Sequence, residues 1–344
     1  MIANSKTYKE SINRLAAGID IPSGRVLVTG ATGLIGSCVV DALMAANTSY
    51  GKAYEVFALG RNTEKLHRRF GTMSNLHFVV QDITAPITID TVDYILHTAS
   101  NADPVSYARY PSETIITNVL GAKSVLDYCR LNRSRVLFTS TFEVYGKLDQ
   151  DSYIEDNYGP IDLSLLRSSY PESKRTAELL FRAYTDEYGV DAVIARLSSI
   201  YGPTMKMDDS KAHAQFIKNA LAGKDIVLKS EGSQKRTYCY VMDAVSAIFT
   251  VLSKGNKGEA YNVANDNSIA TIAELAQIIA DYADRKVVFC IPNELEKKGF
   301  SKPQDCVLNT DKIKRLGWKG AYDLKAGINE TMAILNETLD CAVT

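Results

Sequence analysis

Seven residues, Gly30-Ala31-Thr32-Gly33-Leu34-Ile35-Gly36, restrict what this chain can fold into more than any other stretch. The run Val26-Leu27-Val28-Thr29 before them is β-favouring, and the segment Cys38 to Ala46 after them carries apolar residues at helical spacing. The order is strand, tight turn, helix. Gly30 lets the backbone turn sharply, Gly33 removes a Cβ where a pyrophosphate must approach, and Gly36 lets the helix pack closely on the strand. The N–H groups around Thr32, Gly33, Leu34 and Ile35, together with the helix dipole, then make a seat for a dinucleotide phosphate. A glycine-rich turn without ligand is the plainer reading of the triplet alone; the strand before it and the helix after it favour the dinucleotide.

The chain of 344 residues is long enough for one large domain or two smaller ones with a sizeable core. A net charge of −1 with 46% hydrophobic residues gives no sign of nucleic acid or an anionic membrane surface as partner. Cys38, Cys129, Cys239, Cys290, Cys306 and Cys341 are scattered, with neither a C-x-x-C pair nor zinc-ligand spacing beside the four histidines. No metal site is expected, and the thiols read as reduced in a cytosolic protein. The first residues lack a basic stretch followed by an apolar core, and no apolar run reaches about 18 residues, which argues against secretion and membrane spanning.

Residues 1–24 precede the first strand. Tyr8, Ile12, Leu15 and Ala16 recur at helical spacing within Thr7–Gly18, which predicts a short helix packed on the domain or on a second subunit. Tyr54–Leu59, Leu76–Val80, Val92–Thr98 and Val136–Ser140 read as strands and Ser112–Leu131 as a helix. This alternation implies an α/β fold whose parallel sheet is covered on both faces and binds ligands at the carboxyl ends of its strands. The second strand ends Ala58-Leu59-Gly60-Arg61-Asn62. NAD usually meets an acid there and NADP an Arg. With the acid missing, Arg61 and Asn62 lean towards NADP or mixed use, the alternative for Arg61 being a solvated surface side chain. Asp82-Ile83 follows the third strand and is placed to meet the adenine, although Asp82 could equally cap the next turn. Ala99 and Ser100, after the fourth strand, are assigned to cofactor and substrate respectively.

The fifth strand runs into Ser140-Thr141-Phe142-Glu143-Val144-Tyr145-Gly146, and Tyr170-Pro171-Glu172-Ser173-Lys174 follows a long connection. Residues four apart on a helix share a face, so Tyr170 and Lys174 point to one side. A phenol is a poor base at neutral pH, but a nearby ammonium stabilises the phenolate. Tyr170 could then take a proton from a sugar hydroxyl while a hydride leaves the adjacent carbon, with Thr141 hydrogen bonding the same oxygen. A surface pair on an amphipathic helix is the competing account, and the glycine turn upstream weighs against it.

These segments resemble the extended short-chain dehydrogenases that act on nucleotide sugars, the NAD-dependent epimerase/dehydratase family. The resemblance covers nearly the whole chain and is carried by the glycine turn, Glu143-Val144-Tyr145-Gly146, Glu155-Asp156, residues 170–178, residues 201–209 and residues 232–241. It implies a Rossmann-type doubly wound sheet with a smaller, interleaved substrate lobe, and a homodimer through Ser112–Leu131 and Ser168–Tyr188. It also implies that Thr141, Tyr170 and Lys174 oxidise a sugar at C4, with Tyr170 and Lys174 against the cofactor. Within the family the chain is most similar to the branch that decarboxylates UDP-glucuronate. Glu143 matches a glutamate that decarboxylases and 4,6-dehydratases place beside the sugar and that an epimerase does not need; a buried structural carboxylate is the alternative. Three positions depart from the family pattern. Phe142 stands where dehydratases carry Asp and decarboxylases Ser, Ser199 where an Asn usually contacts the phosphates, and Thr204 in place of a common Arg. They imply an altered sugar pocket.

Beyond about Tyr201 the alternation loosens into strands Ile226–Leu228, Ala260–Val263 and Val287–Phe289 and helices Ala212–Ala222, Val241–Leu252, Ile272–Ala283 and Leu324–Leu335. Residues 25–200 are assigned to NAD(P) and 201–344 mainly to the nucleotide sugar. Arg236, beside Gln234, is the candidate to clamp a diphosphate, because a guanidinium binds phosphate in a bidentate manner; an interdomain ion pair is the alternative. Leu295-Glu296-Lys297-Lys298 reads as a solvated stretch, and Tyr282, Trp318 and Tyr322 as packing residues. The expected activity is NAD(P)-dependent oxidation of a nucleotide sugar at C4 followed by decarboxylation, or else epimerisation, dehydration or keto-reduction. A catalytically silent cofactor-sensing or scaffold protein is the alternative from another class.

Overall fold

The computed structural model describes residues 2–290 and 305–343, with side chains as far as Leu339; the mixed-charge stretch Leu295–Lys298 lies outside the described residues. Helix α1 (Lys6–Ala17) leads into β1 (Arg25–Thr29), α2 (Leu34–Tyr50), β2 (Glu55–Gly60), α3 (Thr63–Phe70), β3 (Leu76–Val80) and β4 (Tyr94–His97). Then come α4 (Pro104–Arg109), α5 (Pro111–Asn132), β5 (Arg135–Thr141), α6 (Ser169–Tyr188), β6 (Ala192–Leu197) and β7 (Ser199–Tyr201). The chain continues through α7 (Ala212–Leu221), β8 (Ile226–Leu228), β9 (Lys235–Tyr240), α8 (Val241–Lys254), β10 (Ala260–Val263), β11 (Ile269–Thr271), α9 (Ile272–Ala283) and β12 (Val287–Phe289). Short α10 (Asp311–Lys314) and α11 (Leu324–Val343) complete it.

Seven strands form one parallel sheet in the order β10-β6-β5-β4-β1-β2-β3. Val26, Leu27 and Val28 of β1 have no exposed surface, because helices cover both faces. Each such side chain contributes about 1.5–3 kcal/mol of burial. One apolar cluster joins the sheet to α1, α2, α3 and α8, and a second joins its other face to α5 and α6. The strand order reverses between β1 and β4, which opens a crevice at their carboxyl ends.

Most of the predicted elements stand within a residue or two of their expected bounds. The N-terminal helix packs on its own chain: Ser5 caps it, Tyr8 donates to Asp41 of α2 at 2.5 Å, and Ser11 donates to Glu330 of α11 at 2.5 Å. Strand β10, from the second half of the sequence, pairs with β6 and so completes the large sheet. Two small sheets, β11-β9-β7 and β12-β8, lie beyond it. Trp318 is buried and donates to Ser246, and Tyr322 is partly buried against Tyr240. Tyr282, expected to pack, is instead exposed, because it falls in the last turn of α9, past the buried stripe Leu275, Ala276, Ile279 and Ala280. Among the described residues no helix is long and apolar enough to cross a membrane.

Candidate active site

The glycine turn is set by backbone contacts. Gly30 has φ +67, in the left-handed region, and a Cβ there would lie 2.8 Å from the backbone of Ala99. A Cβ on Gly36 would meet the Gly30 carbonyl oxygen at 2.5 Å and Thr98 Oγ1 at 2.8 Å. Gly33 is the N-cap of α2 and has no side chain with which to cap it. Thr32, Gly33, Leu34 and Ile35 are all partly exposed at the mouth of the crevice. An uncapped helix N-terminus whose neighbouring backbone has been cleared of Cβ atoms fits a dinucleotide pyrophosphate. Thr204, where the resemblance leads one to expect an Arg, donates to the Leu34 carbonyl oxygen at 2.7 Å and thereby ties the loop after β7 to this helix.

The side chains expected to meet the adenosine already have partners. Asp82 accepts from the Thr84 N–H at 2.9 Å and hydroxyl at 2.8 Å, which caps the turn and holds its carboxyl below the ordinary value. Arg61 reaches Glu113 of α5 at 3.3 Å and Asp82 at 3.9 Å. Asn62 caps α3 by accepting from the Lys65 N–H at 2.8 Å, and Ile83 is buried beneath α5 against Gly121.

The carboxyl end of β5 delivers Thr141, and the 3₁₀ turn Phe142–Tyr145 after it delivers Phe142 and Glu143. Tyr170 and Lys174 sit in the first turns of α6, both buried. The Tyr170 hydroxyl hydrogen bonds the Thr141 side chain, while burial and the charge of Glu143 push its proton affinity above the ordinary phenol value. Lys174 Nζ donates to the Thr139 carbonyl oxygen at 2.8 Å and lies 4.5 Å from the Phe138 ring centroid. Burial pushes its pKa down to about 7. Thus Thr141, Glu143 and Tyr170 meet, while the Lys174 ammonium points back to the β5 backbone.

Sequence reasoning missed several residues here. Tyr107 of α4 stacks on Tyr170 with ring centroids 5.1 Å apart and planes 12° apart. Arg167, three residues before Tyr170, places Nη2 3.1 Å from Glu143 Oε2. Ser100 donates to Asn118 of α5, and Asn118 donates to Ser173 of α6, each at 2.8 Å. Lys211 adds positive charge near Glu143. An Arg close before the tyrosine was the one readable signal; Tyr107 and Asn118 reach the site only through tertiary packing.

A narrow seam beside this group is lined by Phe142, Ser198, Ser199, Arg236, Thr237, Cys306 and Leu308. The Arg236 guanidinium lies 5.6 Å from the Phe142 ring centroid, and its Nη2 donates to Gln234 Oε1 at 3.2 Å. Its Nε and the Ser198 hydroxyl are buried with no partner among the described residues. Buried polar groups without partners are costly, so both are available to a polar or anionic group that reaches them.

A model of the NAD dependent epimerase/dehydratase family matches residues 26–264. The chain belongs to this family. UDP-glucuronic acid decarboxylase 3 of Arabidopsis thaliana is 32% identical to this family member over 309 residues, 89% of this chain and 87% of the plant protein. Among solved structures, a dTDP-glucose 4,6-dehydratase from Streptomyces venezuelae with NAD bound is 28% identical, with TM-score 0.76 and coverage of 92% of this chain and 98% of that one. UDP-glucose 4-epimerase of Thermotoga maritima, solved with UDP-glucose, superposes with TM-score 0.76 at 24% identity over 92% and 99% of the two chains. The chain is therefore an enzyme of the NAD-dependent nucleotide-sugar epimerase/dehydratase type with a Rossmann-like α/β fold.

Proposed function

We propose that this enzyme oxidises a nucleotide-diphosphate sugar at C4 and then decarboxylates it, acting on UDP-glucuronate or a related uronic acid sugar. The observation that carries the reading is Glu143 beside the hydrogen-bonded Thr141 and Tyr170, together with the 32% identity to a UDP-glucuronic acid decarboxylase. When bound, NAD or NADP supplies a hydride acceptor at the crevice. Tyr170 takes the proton of the C4 hydroxyl, Thr141 orients that oxygen, and Lys174 supplies positive charge one helical turn away. Arg236, with Gln234 and Ser199 beside it, holds the diphosphate. Glu143 faces C5 and C6, where a 4-keto group makes loss of a C5 carboxylate feasible because the bonding electrons flow into the carbonyl.

Residues 25–200 supply the cofactor site in this reading and residues 201–344 most of the sugar site. A cytosolic homodimer through α5 and α6 belongs to it as well, supported by the exposed Ile116, Leu120 and Leu179 on those helices. Phe142 favours a second reading, epimerisation or keto-reduction, because a phenyl ring offers no hydrogen bond to a sugar carboxylate.

The test is mass spectrometry of the enzyme incubated with NAD or NADP and a panel of nucleotide sugars that includes UDP-glucuronate. Loss of carbon dioxide establishes the decarboxylase; loss of water or hydrogen isotope exchange on another sugar, without it, moves the assignment to a dehydratase or epimerase.

A further inference from the structure

Glu143 is a partly buried carboxylate at the floor of the sugar site, with 22% of its side chain exposed, while its partner Arg167 is 53% exposed at the rim. Two other cations act on Glu143 from farther away, and each has its own engagement: Arg236 with Gln234, and Lys211 with Asp209 at 3.6 Å. The direct ion pair comes from Arg167, Nη2 to Oε2 at 3.1 Å. The same guanidinium hydrogen bonds the Tyr107 hydroxyl, and the Tyr107 ring lies flat on Tyr170. One exposed side chain therefore joins the carboxylate to the ring that backs the proposed base.

We propose that Arg167 is a positioning residue that keeps Glu143 ionised and aimed into the sugar pocket. The proposal rests on the reading of that pocket as a nucleotide-sugar site. Burial pushes the Glu143 carboxyl upward, and Arg167, Arg236 and Lys211 pull it back. The remaining titratable groups that face it are Tyr107, Tyr170 and Cys306. Tyr107 and Cys306 are pushed up to about 12 and Tyr170 also upward, so all three are neutral at physiological pH. Removing Arg167 leaves the carboxylate to burial and two distant cations, and its proton affinity rises.

The experiment compares Arg167→Gln and Arg167→Lys with the wild-type chain. Turnover of the accepted nucleotide sugar is followed across the acidic and neutral range, and Glu143 itself is titrated in the substrate-free protein by the carboxylate infrared band that Glu143→Gln removes. Arg167→Gln is expected to move the Glu143 titration and the acidic limb of kcat upward by about one pH unit or more, with KM changed less than kcat, and Arg167→Lys is expected to restore most of the shift. An unshifted titration in Arg167→Gln, or a lysine variant no better than the glutamine one, overturns the proposal. Failure of the wild type to turn over any nucleotide sugar would sink the functional reading instead, and the infrared titration would still decide the role of Arg167.

Discussion

The glycine turn and the Thr141–Tyr170 group, proposed to hold the cofactor and the sugar, both follow sheet strands but are made of different material. At the turn the chain clears backbone: Gly30 and Gly36 leave space that a Cβ would fill at 2.8 Å and 2.5 Å from neighbouring main-chain atoms. At the pocket the chain gathers side chains from distant positions, Tyr107, Thr141, Arg167, Tyr170 and Arg236, around the partly buried carboxylate of Glu143. A site made by removing atoms is tied to the fold and fails with it. One made of converging functional groups can lose its chemistry while the scaffold stands.

Tyr170→Phe is the sharpest way to divide the two. It deletes one hydroxyl, held by Thr141, from a buried ring that keeps its stack on Tyr107. Turnover is expected to fall by about 10²–10⁴-fold, the range of a lost general base, while NAD affinity measured by fluorescence titration stays near the wild-type value. Unchanged turnover would remove Tyr170 from the chemistry.

Gly36→Ala tests the other side. The added methyl group collides with the Gly30 carbonyl and Thr98, so α2 must move off β1. Overpacking of this kind costs about 1–3 kcal/mol, measurable by urea unfolding, and the stabilisation conferred by added NAD should shrink with it. Ser199→Ala in the sugar pocket is expected to leave the unfolding midpoint unchanged. If Gly36→Ala spared both stability and cofactor binding, the turn would not be fixed by backbone contact.

His97 closes β4 between the two sites and shows to which the strand end belongs. It is fully buried, shares a 2.8 Å hydrogen bond with Thr29, and stacks on Phe138 and Phe181. Burial pushes its pKa from 6.5 down to about 3. Between those values the unfolded chain takes a proton that the folded chain refuses, so stability falls as pH falls through that window, at most by about 1.4 kcal/mol per pH unit. His97→Gln should flatten that slope in denaturant titrations at several pH values. Some slope persists from His213, which burial pushes down to about 4. An unaltered slope would mean that His97 titrates normally and is not sealed into the scaffold.

The difference between the two regions also explains what was legible in the sequence. The signal of the glycine turn is local, because one strand, one turn and the start of one helix carry it, even though Thr98 and Ala99 at the end of β4 supply part of the close contact. Tyr170 and Lys174 were readable for a similar reason, since four residues on a helix fix a shared face; the ammonium was not, because its bond to Thr139 depends on how α6 packs against β5. Tyr107 and Asn118 left no local trace, and the pairing of β10 with β6 was not legible because a four-residue apolar strand says nothing of which sheet edge it joins. The pairing of Arg61 is of the same kind, set by Glu113 fifty-two residues away.

That pairing supplies the smallest expected effect and the closest test of where the cofactor turn ends. Arg61 is held by Glu113 and Asp82, yet more than half of its side chain is exposed. Exposed pairs of this sort are worth about 0–1 kcal/mol, so a 2′-phosphate can compete for the guanidinium. Glu113→Gln should therefore favour NADP over NAD by about fivefold or less, and Arg61→Ala should shift the ratio the other way, both read from Kd values for the two dinucleotides. Equal ratios in all three proteins would make Arg61 a surface residue and leave selectivity to the backbone, which would extend the rule of the glycine turn to the whole cofactor site.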